Sequence, residues 1–134
     1  MSRETEIMLG LSLVLVPTII FGGLTVLGVL SGGAYGGPGP QNLTPLQQSF
    51  YRAGHAHAGV LLILSLILQI LVDHARLGEL SWPVRIAAPA AAILVSAGFF
   101  GVAHLPALRA VLYTGATLLT ATTLAVGVGL LRGR

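Results

Sequence analysis

At 134 residues, with 54% hydrophobic and 8% charged side chains, the chain fits one compact unit and has too little charge to cover a water-soluble surface. Its net charge of +3 reflects a shortage of acids, because seven arginines and no lysine are spread along the whole length; nucleic acid is excluded as a natural partner. Without cysteine there is no disulfide, thiolate ligand, iron–sulfur cluster or covalently held c-type haem, so any metal must be held by His, Asp, Glu, Tyr or Met.

The composition is that of an integral membrane protein, and the pattern along it predicts an all-α, up-down four-helix transmembrane bundle. A single membrane domain spans 1–134, with helices over about 5–31, 45–76, 83–104 and 106–131. The first apolar run, Ile7 to Leu30, is long enough to cross a bilayer and lacks a small-x-small cleavage site, which reads as a retained span. Pro17 predicts a bend in it, and its glycines leave room for close helix approach. Glycine and proline are dense from Ser31 to Pro40, which predicts a connector or flap around Tyr35.

Thr44, Pro45 and Gln47 read as a helix start, with a capping hydroxyl, a proline at the first helical position and a glutamine three residues after the cap. A helix from about 45 to 75 is about 46 Å long, more than a hydrocarbon core of about 30 Å, so its first turns protrude and the residues near 55 lie towards one face. Asp73 to Glu79 forms a polar turn at the other face. Ser81, Trp82 and Pro83 start the third helix, whose run of alanines and glycines makes it the slimmest and predicts a central place. His104-Leu105-Pro106 allows only a tight hairpin into the fourth helix.

Arginines set the expected orientation. Arg3, Arg76, Arg85, Arg132 and Arg134 fall at the end that holds both termini, against Arg52 and Arg109 at the other, which favours cytoplasmic termini, in a bacterial cytoplasmic membrane. His55, His57 and His104 then lie at the extracytoplasmic end, and His74 is an interfacial residue at the cytoplasmic end.

The stretch from Phe50 to Gly59 puts Arg52, His55 and His57 at the mouth of an apolar helix, where an ionisable group is costly and marks a functional site. Residues two apart on a helix point about 200° away from each other, so His55 and His57 cannot hold one ion together on an intact helix. His55 shares its side with Gln48, Tyr51, Gln69 and Asp73. His57 shares the opposite, leucine-rich side with Phe50, Leu61, Leu64, Leu68 and Leu71, and there meets lipid, another helix or a second copy of the chain. The expectation is a cofactor site in which His55 and His104 converge on a haem or a metal ion, copper or zinc, with Arg52 and Arg109 pairing haem propionates. His57 is a further candidate metal ligand.

The opening Arg52-Ala-Gly-His55, followed by a long apolar helix, resembles the Arg-x-x-His start of the haem-ligand helix in nitric oxide reductases and related haem-copper oxidases. It also resembles small four-span membrane proteins that carry His-x-His at this place. The first resemblance implies non-covalent haem b with His55 as an axial ligand; His57 stands where those enzymes usually have asparagine. Their catalytic subunits carry many more spans and further histidines, so haem binding is implied and oxygen or nitric oxide reduction is not. The expected function is a small membrane haem protein: an electron carrier, a sensor or a subunit of a respiratory complex. The alternatives are a copper- or zinc-binding or transporting protein, with Asp73, Gln69 and His55 sketching a polar path, and a structural or assembly subunit of a larger membrane complex. The small-residue helices and the His57 face predict a homo-oligomer or larger complex within the lipid bilayer.

Overall fold

The computed structural model describes residues 1–32 and 40–132; Tyr35 and the connector or flap expected around it, and Arg134, lie outside the described residues. Four long helices, α1 (Arg3–Ser31), α2 (Pro45–Val72), α3 (Ser81–Val102) and α4 (Arg109–Leu131), alternate in direction, with 3-10 turns at Pro40–Asn42, Gly78–Leu80 and Pro106–Leu108. The all-helical bundle expected from the sequence is the fold observed. The shortest helix has 22 residues and reaches about 33 Å, and all four are apolar enough to cross a bilayer core of about 30 Å. The chain is an integral membrane protein whose natural surroundings are lipid.

Helix ends follow local chemistry. Thr44 and Gln47 form the expected capping box: the Gln47 backbone N–H donates to Thr44 Oγ1 at 3.2 Å, and the Thr44 N–H donates to Gln47 Oε1 at 2.9 Å. At the close of α1, Gly32 takes a positive φ of 67° and its N–H bonds the Gly28 carbonyl. α2 stops at Val72, earlier than the sequence predicts, because the chain turns towards α4 and the Arg76 N–H donates to the Gly129 carbonyl at 3.1 Å. α3 starts at Ser81, which places Pro83 in the first turn, where a backbone donor has no helical partner anyway. Pro106 opens a 3-10 turn, and α4 proper begins at Arg109.

α3 occupies the centre, as its small residues predict. In its most apolar stretch 44% of residues are buried, against 17% for α1. Gly98 and Gly115 set its approach to α4: a Cβ on Gly98 would lie 2.6 Å from Leu112 Cα, and one on Gly115 would lie 2.7 Å from the Val95 nitrogen. Leu61, Ala92 and Val95 form one apolar cluster; Leu68, Val72, Val84, Ala88 and Val126 form another nearer the terminal end. The leucine side of α2 therefore packs inward on α3.

At the terminal end three helices meet around one buried cation. Arg85 of α3 is 4% exposed and reaches Asp73 Oδ1 at 2.5 Å, the Thr5 hydroxyl at 2.7 Å, the Ser2 hydroxyl at 3.3 Å and the Gln69 carbonyl at 3.3 Å. Asp73 also accepts from the Ser2 backbone N–H and hydroxyl, each at 2.8 Å, and from the Thr5 hydroxyl at 2.8 Å. Gln69 completes the node in a second way. Pro89, inside α3, has no N–H to give to the carbonyl four residues earlier, which is that of Arg85; Gln69 Nε2 donates to that carbonyl at 2.7 Å. Arg85, one of the charges behind the expected orientation, is an interior residue in the fold.

Two predictions follow from this packing. Asp73→Ala should cost about 3–5 kcal/mol, because it strands a buried guanidinium, whereas Asp73→Leu combined with Arg85→Met should cost much less than the sum of the single changes. Denaturant titration followed by circular dichroism checks both. The Ser2 backbone N–H, foremost, with the Ser2 and Thr5 hydroxyls and Arg85, holds Asp73 well below the usual carboxylate range against the opposing effect of burial. Since its folded-state pKa is depressed, the stabilisation is complete above about pH 5 and declines as the pH falls below the ordinary aspartate value of about 3.9. Second, Gly98→Ala should force α3 and α4 apart and cost about 1–3 kcal/mol in the same assay, because the obstacle is backbone.

Candidate functional site

α2 lies against α1 on its His55 side and against α3 on its His57 side, so the three histidines at this end meet three different surroundings. His55 packs against α1 at Gly23, where a Cβ would come within 2.7 Å of Cε1 and of Nε2, so a larger residue there would have to displace the imidazole. Neither ring nitrogen of His55 has a hydrogen-bond partner among the described residues. His57 stacks on Phe99 of α3 with ring centroids 4.6 Å apart, and its Nδ1–H donates to the Ala53 carbonyl at 2.7 Å. Of the surroundings the sequence left open for His57, another helix of the same chain is the one found.

His104 leaves α3 at the hairpin and turns back to α2, as the up-down topology requires. Its partner there is Tyr51: the phenol oxygen and Nε2 share a hydrogen bond of 2.9 Å, and the rings meet edge to face. Tyr51 also packs edge to face on Phe100, whose ring lies against Gly54, while Gln47 Nε2 donates to the Ala103 carbonyl at 3.0 Å. These contacts clamp the start of α2 to the end of α3. Tyr51 is one turn before His55 on the same side of α2, so His104 comes to that side but joins the turn above.

Arg52 and Arg109 are exposed at this end, and neither guanidinium has a hydrogen bond or ion pair among the described residues. His74 is exposed at the opposite end, as an interfacial residue should be. Among the described residues no group of three or more His, Cys, Asp or Glu is placed to hold a metal ion.

Below His55 runs an apolar cleft of about 280 Å³ between α1 and α3, floored by α2. Leu15, Thr18 and Ile19 form one wall, Ala58 and Leu62 the floor, and Pro89, Ile93, Ala97 and Phe100 part of the other wall. His55 is one turn beyond Ala58 and Gly23 one turn beyond Ile19, so the His55–Gly23 contact stands at the cleft's outer end. The cleft has the shape and lining to take a flat or elongated apolar body; His55 stands one turn from its floor and is not among its lining residues. No protein family, curated protein or solved structure matches the chain.

The sequence marked His55, His57, His104, Arg52 and Arg109; it did not mark Tyr51 as the partner of His104, nor the α1 wall of the cleft. Tyr51 had one available signal, its place a turn from His55 on the same stripe. Gly23 is one of the glycines of the first helix that signal close approach, but its meeting with His55 has no sequence signal, because the register of α1 against α2 is a tertiary property. The polar path sketched by Asp73, Gln69 and His55 separates into two parts in the fold. Asp73 and Gln69 are bound to Arg85, while His55 stands apart at the other end of α2.

Tyr51→Phe tests the outer clamp. Loss of the hydrogen bond to His104 should lower stability by about 0.5–1.5 kcal/mol, and His104→Ala in the Tyr51→Phe background should add less than His104→Ala in the native protein. Thermal unfolding of the four proteins in one detergent gives the cycle.

Proposed function

We propose that this chain is a small membrane b-type haem protein in which His55 is an axial ligand. The carrying observation is the His55 imidazole, which has no hydrogen-bond partner among the described residues and stands one turn from Ala58 on the floor of an apolar cleft between α1 and α3. A haem needs an imidazole for its iron, apolar walls for its macrocycle and cations near its propionates. The cleft residues offer the walls, and the exposed Arg52, three residues from His55 on α2, and Arg109, at the first turn of α4, are the candidates for the propionates. When bound, haem would supply one-electron or gas-ligand chemistry; the chain's own part is to hold the ring dry between helices and fix one ligand. His104 is the candidate for a second imidazole to hold the group, and would serve only by giving up its bond to Tyr51.

The resemblance of Arg52-Ala-Gly-His55 to the haem-ligand helix of nitric oxide reductases supports the same assignment, and an electron carrier, a sensor and a respiratory-complex subunit all suit it. We place both termini on the cytoplasmic side and the histidines on the outer side, from the arginine asymmetry; Arg85, being interior, leaves Arg3, Arg76, Arg132 and Arg134 to carry that asymmetry. Assembly into an oligomer or larger complex belongs to the same proposal. With the His57 side packed on α3, the face that supports it is on α4, where Tyr113, Thr114, Thr117 and Ala121 line an open hollow.

An optical spectrum of the detergent-purified protein from haem-supplemented cells is the test. A Soret band lost on His55→Ala is expected. With His104 still on Tyr51, added carbon monoxide should shift the spectrum of the reduced protein; with both imidazoles bound, it should leave sharp six-coordinate bands unchanged. Arg52→Gln should lower haem retention without unfolding the bundle. Absence of any Soret band sinks the proposal, and a copper or zinc signal lost on His55→Ala would replace it with a metal-ion protein.

A further inference from the structure

A second hollow, of about 270 Å³, lies at the terminal end, between the turn after α2 and the last turns of α4. Its lining divides by chemistry: Arg76 and Arg132 are its cations, while Leu77, Leu80, Leu124 and Val128 are apolar. Both arginines are exposed, and neither has a side-chain hydrogen bond or ion pair among the described residues, in contrast to Arg85 at the same end. Their spacing is set by backbone. The Arg76 N–H donates to the Gly129 carbonyl at 3.1 Å, and a Cβ on Gly129 would lie 3.0 Å from both Ala75 and Leu77, so the turn and α4 are in direct contact beneath the hollow.

The depth is equally defined. Arg76 follows the span of α2 and Arg132 that of α4, which puts both guanidiniums at headgroup level, while Leu124 and Val128 continue along α4 into the hydrocarbon and remain exposed. Two free guanidiniums above an apolar groove match a phosphate ester above acyl chains: guanidinium pairs phosphate oxygens in a planar, two-pronged geometry, and the leucines supply the wall along which a chain can lie. We propose that this hollow binds an anionic phospholipid of the leaflet facing the termini, with its phosphate between Arg76 and Arg132 and an acyl chain along Leu80, Leu124 and Val128. The site is separate from the histidine end and does not depend on a cofactor there.

Trp82 provides the readout. It is the protein's sole tryptophan, half-exposed and two residues from Leu80. The intact protein is placed in phosphatidylcholine vesicles containing a fixed fraction of either phosphatidylglycerol or phosphatidylcholine with brominated acyl chains, and quenching of Trp82 is compared. In the native protein the anionic lipid should associate on the order of tenfold more strongly than the zwitterionic one. Arg76→Gln combined with Arg132→Gln should abolish that preference and leave quenching by brominated phosphatidylcholine unchanged, which also reports that the bundle is intact. Arg3→Gln, at the same end but outside the hollow, should keep the preference. Equal quenching by the two lipids in the native protein overturns the proposal, and so does a preference that survives the double change or is lost equally in Arg3→Gln. Suppression of the preference by inorganic phosphate would overturn the assignment to lipid in favour of a free anion.

Discussion

A guanidinium inside a membrane bundle must find acceptors for its donors within the protein, and Arg85 of α3 does so by drawing on α1 and α2 at once. The requirement fixes the start of α1 through Ser2 and Thr5 and the end of α2 through Gln69 and Asp73, and Gln69 also binds the Arg85 carbonyl at the start of α3. Much else depends on it. α1 is the least buried helix and would otherwise have little to hold its register, since small residues and apolar contact between membrane helices are weakly specific in lipid. The polar node sets that register at one end and the His55–Gly23 contact keeps it at the other. Between the two, α1 and α3 stand apart, and the apolar cleft is the space that results.

The two ends of the molecule thus divide their work. At the terminal end polar groups satisfy one another, leaving Arg76 and Arg132 directed to what lies outside the chain. At the histidine end the polar groups are spread out: Tyr51 and His104 join two helices, His57 is tied to the Ala53 carbonyl and to Phe99, and His55 has no hydrogen-bond partner among the described residues.

The fold was legible in the sequence because bilayer physics leaves few alternatives. Four apolar runs of sufficient length, the Thr44–Gln47 capping box and the polar turn after Val72 each have a local cause, and each is visible within a window of a few residues. The central place of α3 was legible too, because slim residues such as Gly98 only make sense where another backbone comes close. The site was legible only by residue type. That His104 returns to the depth of α2 follows from topology, but that it meets Tyr51 depends on helix rotation, which no periodicity in one helix specifies. For Arg85 the sequence places the charge at the terminal end, where the fold has it, but its burial depends on Asp73, distant by a turn and a direction reversal, facing it.

The position of Pro89 and Arg85 in α3 also bears on how the protein is made. Presented to a membrane by itself, this helix would bring in an uncompensated charge and, four residues before the proline, a carbonyl with no helical donor. Both deficits are met by residues that precede α3 in the chain, Asp73 and Gln69 on α2 and Ser2 and Thr5 on α1. Synthesis therefore delivers the acceptors before the cation that they bind.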